Sequence, residues 1–183
     1  MAKWIADKSH SNVQFKVKHL MINTVTGEFG DYEVEVESVL EDFTNARVRF
    51  EADVNSINTK NEQRDAHLKS EDFFNAEAFP KMSFESTSFE HISGDDYLLK
   101  GDLTIRDITR PITLAVEYGG RMTDFYGNSK AGFELSGSVN RKEFGLKWDA
   151  ITEAGGIVVA ETVKLALNVQ LQEVAVEAEA VLA

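Results

Sequence analysis

The sequence contains no cysteine among its 183 residues. This absence excludes disulfides, thiol nucleophiles and zinc–thiolate sites, and it leaves the redox compartment open. Basic residues are also scarce, because 19 Lys and Arg stand against 31 Asp and Glu, giving a net charge of −12. Such an acidic excess repels phosphate backbones and anionic membrane surfaces, so nucleic acid is not an expected partner.

Long apolar runs are missing as well. No stretch of about 18 apolar residues exists, which predicts no membrane-spanning segment. The first residues, MAKWIADKSHS, contain no apolar run of signal-peptide length. This predicts a cytoplasmic protein, whereas a periplasmic location would require that a leader has been removed. The length and the 43% hydrophobic content predict a single globular domain over residues 1–183.

The common catalytic signatures are absent. There is no Gly-x-Ser-x-Gly elbow, no Walker loop and no HExxH motif, and no two acids share an apolar setting. The four histidines are widely spaced, so a metal site built from His10, His19 and His67 is only a minor alternative. The sequence therefore predicts no catalytic residue, no metal and no cofactor.

Apolar and polar residues alternate with a period of two along most of the chain, which is typical of amphipathic β-strands. Gly27 and Gly30 interrupt the second strand and predict a bulge or a bend there. Residues 60–78 break the alternation and contain good helix formers after Asn61, a possible N-cap, so they predict one helix or two short turns. Eight strands are predicted in all, near residues 13–17, 20–37, 46–54, from 82 onward, 97–105, 111–116, 131–139 and 163–171.

Eight long, single-faced strands predict an all-β fold, an antiparallel sheet closed into a barrel. Closure removes the exposed strand edges, although an open β-sandwich fits the same pattern. The large apolar residues at inward positions either line a cavity or fill it. The predicted interior ligand contacts are Phe15, Val17, Phe29, Phe50, Phe84, Leu103, Leu114, Phe133, Leu135 and Leu165.

Polar residues are predicted to gather at one mouth of this barrel. In an up-and-down order, strands one, three, five and seven end at the same mouth. There His19 continues the inward series of the first strand, and Arg141 continues that of the seventh. This layout predicts a pocket that takes an apolar tail inside and a polar head at the rim. The predicted rim contacts are His19, Arg64, His67, Arg141 and Trp148. In the structural alternative these residues only cap the barrel, with Arg64 paired to Asp65.

Several segments, in order along the chain, resemble the YceI-like, or polyisoprenoid-binding, family. The most specific is RDAHLKSEDFF at residues 64–74. Each motif is weak alone, but their order and spacing from about residue 4 to about residue 172 make the resemblance strong. The others are WIAD (4–7) with His10 and Ser11, FKVKHLMI (15–22), VTGEF (25–29), SINT (56–59), FEST (84–87), GDLTI (101–105), AGF (131–133) and NRKEFGL (140–146).

The resemblance implies an eight-stranded antiparallel lipocalin-like barrel with a short helical segment capping one mouth. It also implies a long-chain isoprenoid or fatty-chain lipid as the partner, and a homodimer. The leading hypothesis is therefore a non-enzymatic carrier or sequestering protein for such a lipid. Two alternatives remain open. One is an enzyme acting on a small hydrophobic or stress-related substrate, and the other is a filled barrel that acts through its surface.

Overall fold

The computed structural model describes residues 1–150 and 158–175. These residues form eleven antiparallel strands in one sheet, together with one α-helix and three short 3-10 turns. The elements are β1 (Ala2–Ala6), β2 (Asn12–His19), β3 (Asn23–Phe29), β4 (Tyr32–Ser38), β5 (Arg47–Asp53), β6 (Ile57–Asn58), α1 (Glu62–Lys69), β7 (Lys81–Ser93), β8 (Asp96–Ile105), β9 (Ile108–Thr123), β10 (Ser129–Asn140) and β11 (Val159–Val174).

The sheet closes on itself through eight of these strands. The ring runs β1-β4-β5-β7-β8-β9-β10-β11 and returns to β1. Closure is visible at Trp4, which lies opposite Val36 on β4 and opposite Glu173 on β11. The predicted eight-stranded antiparallel barrel is therefore confirmed. The open sandwich is wrong, because a sandwich leaves the first and last strands unpaired.

Three places in the barrel wall each hold two short strands instead of one long strand. The pairs are β1 with β2, β4 with β3, and β5 with β6. β11 is long enough to pair with β1 through Leu171–Val174 and with β2 through its first half. β3 then pairs with β2, and β6 with β3. The break predicted from the glycines falls between β3 and β4, at Gly30, whereas Gly27 lies inside β3. Asp7 fixes the β1–β2 break, because its carboxylate accepts hydrogen bonds from the Ser9 amide (3.1 Å) and from Lys130 Nζ (2.8 Å).

One end of the barrel is plugged by an aromatic cluster. The loop between β4 and β5 inserts Phe43, which is 1% exposed, into this end. The Phe43 ring lies 5.1 Å from Trp4, 5.1 Å from Phe133 and 5.8 Å from Tyr118, measured between ring centroids. Tilted and edge-to-face aromatic pairs of this kind are favourable beyond the area that they bury. The residues of this cluster do not line the cavity described below, which reaches the side chains at the other end of the barrel.

The helix lies at that other end, between β6 and β7. The predicted N-cap at Asn61 is confirmed, since its side-chain oxygen accepts a hydrogen bond from the Arg64 amide at 3.0 Å. After α1 the chain turns through Phe73 and Phe74, which point toward the barrel interior together with Leu68. Within the described ranges, no helix is both long and apolar enough to cross a bilayer.

Candidate ligand-binding site

The barrel encloses an apolar cavity of about 190 Å³. Side chains of β2–β5, β7–β11, α1 and the turn after the helix line it, and Gln14 and Arg141 are the polar residues among them. The interior is therefore hollow rather than filled. Nine of the ten predicted interior residues line this cavity: Phe15, Val17, Phe29, Phe50, Phe84, Leu103, Leu114, Leu135 and Leu165.

Phe133 is the exception among the predicted interior residues. It faces inward, as expected, but it lies at the plugged end and lines a separate pocket of about 50 Å³. There its ring packs against Phe43 and Tyr118, both at 5.1 Å. The period-two pattern gives the face of a strand on which a residue lies, but not its height along the barrel axis. Phe133 is therefore placed in the plug, outside the main cavity.

Glycines in the wall make room for large neighbouring side chains. A Cβ atom added to Gly27 would lie 2.2 Å from the Phe15 ring, and one added to Gly101 would lie 2.4 Å from the Phe84 ring. Both rings therefore lie flat over glycine backbone on the adjacent strand. Aromatic side chains that cover glycines in this way help to fix strand register. Because these rings lie along the wall, the centre of the barrel stays open.

The mouth is covered by an aromatic cluster that joins the helix to the segment after β10. The His67 ring lies 5.1 Å from Phe73 and 4.9 Å from Trp148, and the Phe73 and Trp148 rings lie 5.5 Å apart. His67 Nε2 also lies 2.8 Å from the Asp72 carboxylate. Only Phe73 of these residues lines the cavity. The predicted rim residues His67 and Trp148 do come together, but on the outer side of this cover.

Arg141 is 5% exposed and is bound to backbone carbonyls instead of a carboxylate. Its guanidinium donates to Leu146 O (2.7 Å), Trp148 O (2.8 Å), Ala160 O (2.9 Å) and Val159 O (3.1 Å). Burial lowers the pKa of Arg141. These four bonds tie the end of β10, the segment after it and the start of β11 together, which favours the structural alternative for this residue. Arg141 nevertheless lines the cavity, and it is the only predicted rim residue that does.

Arg64 does not pair with Asp65 as the structural alternative supposed. Arg64 Nε donates to Thr59 Oγ1 at 2.8 Å, and Arg64 Nη2 donates to the Thr59 carbonyl at 2.7 Å. Asp65 accepts a hydrogen bond from the Thr59 amide at 2.9 Å. Both charged groups therefore hold the 4%-exposed Thr59, because its backbone and hydroxyl lie within reach of the first helical turn. Arg64 does not line the cavity.

The three histidines considered for a metal site are not brought together. His10 precedes β2 and contacts Asp7 at 3.0 Å, whereas His19 ends the same strand, opposite Val159. A strand of this length spans roughly 25 Å, which is too far for one metal ion. In the part of the chain that the structure describes, no group of three His, Asp or Glu side chains is placed to hold a metal.

Sequence reasoning missed the side chains that line the cavity from the mouth. These residues lie in the helix, in the turns after it and in the 3-10 turn after β10, where no alternation marks an inward face. The signal that could have found them is the clustering of apolar residues within otherwise polar segments. The missed residues are Leu68, Phe73, Phe74, Phe144 and Leu146.

A closed eight-stranded antiparallel barrel, hollow and apolar inside and covered by a short helix at one mouth, defines the class of lipocalin-like barrels. The family profile described as YceI-like domain matches residues 4–171. The chain belongs to the YceI-like family.

Known relatives agree with this assignment along nearly the whole chain. The UPF0312 protein SA2479 of Staphylococcus aureus is 36% identical over 165 residues, which cover 90% of this chain and 94% of the relative. The crystal structure of the Campylobacter jejuni YCEI protein is 31% identical, with a TM-score of 0.74 over 92% of this chain and 96% of that one. A polyisoprenoid binding domain from Saccharophagus degradans shares the fold, with a TM-score of 0.66 at 14% identity over 92% and 97% of the two chains.

Proposed function

We propose that this protein binds a long-chain isoprenoid lipid inside the barrel and carries or sequesters it without catalysis. The observation that carries the proposal is the enclosed cavity with an almost wholly apolar lining. The relation to a solved domain named as polyisoprenoid binding supports this ligand class. We further propose that residues 1–183 act as one domain.

The volume of the cavity bears on how a chain is accommodated. An engineered cavity of about 150 Å³ holds a benzene ring. The present cavity of about 190 Å³ therefore has room for roughly one or two five-carbon isoprene units. A longer chain requires that side chains move, and we propose that these are Phe73 and Phe74, because they belong to the short cover and not to the hydrogen-bonded wall.

Hydrophobic transfer alone does not explain loading. Each CH2 taken from water contributes about 0.8 kcal/mol, but a lipid in a bilayer is already out of water. Shape and the head group must therefore decide whether the lipid moves into the barrel. We propose that the polar head is accepted at Arg141. A guanidinium carries five N–H donors, and one N–H of Arg141 Nη2 has no acceptor within the described residues.

The lining also supports a non-enzymatic role. Among the described residues, Arg141 is the only titratable side chain that lines the cavity, and its charge is held by backbone carbonyls. General acid–base catalysis needs a group that exchanges a proton near the working pH, and an arginine does not supply one.

A pair of matched variants tests the proposed site. Val139 points into the cavity, whereas its neighbour Ser138 is exposed on the outer face of the same strand. Val139→Trp should fill the cavity and weaken binding of geranylgeraniol at least tenfold, and Ser138→Trp should leave it unchanged. Both proteins are compared with wild type by fluorescence titration, and native mass spectrometry of detergent-free protein shows whether a lipid co-purifies. Equal affinity in all three proteins would refute the cavity as the site.

We also propose a homodimer, formed through the outer face of β8–β11. A groove of about 540 Å³ crosses this face, and its floor holds the small residues Ala115, Ser136 and Ala166. Asp96 lies along one side of the floor and Lys164 along the other. A two-fold axis through the floor would place the acidic side of one copy over the basic side of its partner.

Sedimentation velocity tests this dimer. Asp96→Lys or Lys164→Glu alone should each produce monomers, because each places like charges across the axis. The double variant should restore the dimer. A wild-type protein that sediments only as a monomer at micromolar concentration would reject the proposal.

A further inference from the structure

The hairpin formed by β2 and β3 ends in three exposed apolar residues, Leu20, Met21 and Ile22, which are called here the mouth tip. Their exposed fractions are 39%, 65% and 84%. The tip lies on the rim of the cavity, because His19 pairs with Val159 and Val159 lines the cavity. An apolar tip therefore lies at the end of the barrel where the helix and the aromatic cover lie.

The mouth tip forms a turn with positive φ angles, a conformation that its residues Leu20 and Met21 disfavour. The Ile22 amide donates to the His19 carbonyl at 3.3 Å, and the two residues between them have positive φ, 54° at Leu20 and 59° at Met21. A turn of this kind favours Asn-Gly, because other residues are strained at positive φ. Turn geometry thus does not account for Leu and Met here, and strained backbone is typical of functional positions.

Two lysines on β2 precede the mouth tip in sequence and lie on the outer face of the same hairpin. Lys16 and Lys18 are both exposed, and in the described ranges neither lies within 4.0 Å of a carboxylate. The chain carries a net charge of −12, but charges beyond about 8 Å are largely screened at physiological ionic strength. Near a surface that touches the tip, the charges of these two lysines are therefore screened less than those of the distant acidic residues.

We propose that the mouth tip inserts into the headgroup region of an anionic bilayer, with Lys16 and Lys18 held against the lipid phosphates. This inference rests on the proposed function, since it places the opening of the lipid cavity at the surface where the lipid resides. Apolar residues that insert beside basic residues form the usual surface of proteins that bind the bilayer interface.

The opposite end of the barrel offers a matched control. Phe125 and Tyr126 in the β9–β10 hairpin are 105% and 90% exposed. The two basic residues that flank this turn are paired, Arg121 with Glu173 at 3.4 Å and Lys130 with Asp7 at 2.8 Å. That hairpin is therefore apolar without free positive charge, and it lies far from the mouth.

The experiment compares wild type with L20N/M21G, K16Q/K18Q and F125S/Y126S. Co-sedimentation is measured with phosphatidylcholine vesicles that contain either none or about 30% phosphatidylglycerol. Wild type should bind the anionic vesicles, and L20N/M21G should bind at least tenfold more weakly. K16Q/K18Q should lose about 30-fold, the effect expected for two lysines near an anionic surface. F125S/Y126S should bind like wild type.

Thermal melting excludes a trivial structural loss. L20N/M21G places residues suited to positive φ in the turn, so its Tm should rise by about 4 °C while vesicle binding falls. Absence of vesicle binding by wild type would overturn the proposal and leave a protein as the partner of the tip. Retention of binding by L20N/M21G, or its loss in F125S/Y126S, would overturn it too. Geranylgeraniol uptake in vesicle-free buffer should be the same in all four proteins. Failure of wild-type uptake would instead count against the proposed cavity function.

Discussion

Replacing Arg141 with Gln should destabilise the protein strongly, because the guanidinium holds four backbone carbonyls in a place that is 5% exposed. A hydrogen bond from a charged donor contributes about 1.5–3 kcal/mol. The Gln amide has two N–H donors, so it can rebind two of the carbonyls and leaves two without a donor. The expected loss in the free energy of unfolding is therefore about 3–6 kcal/mol.

That loss is large compared with the stability of an ordinary domain, about 5–15 kcal/mol. For a chain of this size, in which 1 kcal/mol shifts Tm by about 2–4 °C, it corresponds to a fall in Tm of roughly 6–24 °C. Urea unfolding should be followed by far-UV circular dichroism and by the fluorescence of Trp4 and Trp148, since coincident curves establish a two-state transition.

Arg110→Gln is the control, because Arg110 is exposed and makes one long bond to the Glu143 carbonyl at 3.5 Å. It should lie within about 0.5 kcal/mol of wild type. An Arg141→Gln protein as stable as the control, yet at least tenfold weaker in lipid binding, would show that Arg141 is a ligand contact and not a brace.

Three further predictions follow from the wall and the plug. Hydrogen bonds from Lys130, and then from Ser9, hold the pKa of Asp7 well below its ordinary value of 3.8, so this stabilisation is complete above about pH 4 and is lost as the pH falls toward the folded-state pKa. Melting temperatures of Asp7→Asn and wild type should therefore differ by a constant amount between pH 7 and pH 5, and should draw together only as the pH falls below about 4. Gly27→Ala should lower Tm and weaken lipid uptake, because its Cβ would displace the Phe15 ring into the cavity, and unchanged values would contradict the close contact. Phe133→Asp should prevent folding, since it buries a charge among aromatic rings at a cost of several kcal/mol, and a native circular dichroism spectrum would argue against it.

The barrel could be predicted from the sequence because its signal is repeated along the chain. Each strand carries the same period of two, and Phe15, Phe50 and Leu103 face inward for that one reason. The break at Gly30 could be predicted from its glycine, but the other two interruptions of the wall could not, because they depend on partners distant in sequence. The Asp7 carboxylate, for example, meets Lys130 only after β10 is in place.

The contacts of the residues at the mouth could not be predicted from the sequence, for a different reason. The alternation of inward and outward positions correctly placed Arg141 at the end of an inward series. It does not show where a long side chain finds its partners. Arg141 turns to four carbonyls, and Arg64 turns to Thr59 instead of to the adjacent Asp65. Side chains of this length select among nearby acceptors, and those acceptors are fixed by loops that carry no periodic pattern.

The pairing of β1 with β11, with Lys3 opposite Val174, has a consequence for how the protein forms. Contacts between residues so far apart in sequence require a large loop to close, and such contacts slow folding. Until β11 is in place the sheet is a trough with two unpaired edges, and its apolar face is open to the surroundings along its whole length. An unclosed sheet of this kind exposes unpaired strand edges and apolar surface, which favour association between incompletely folded chains.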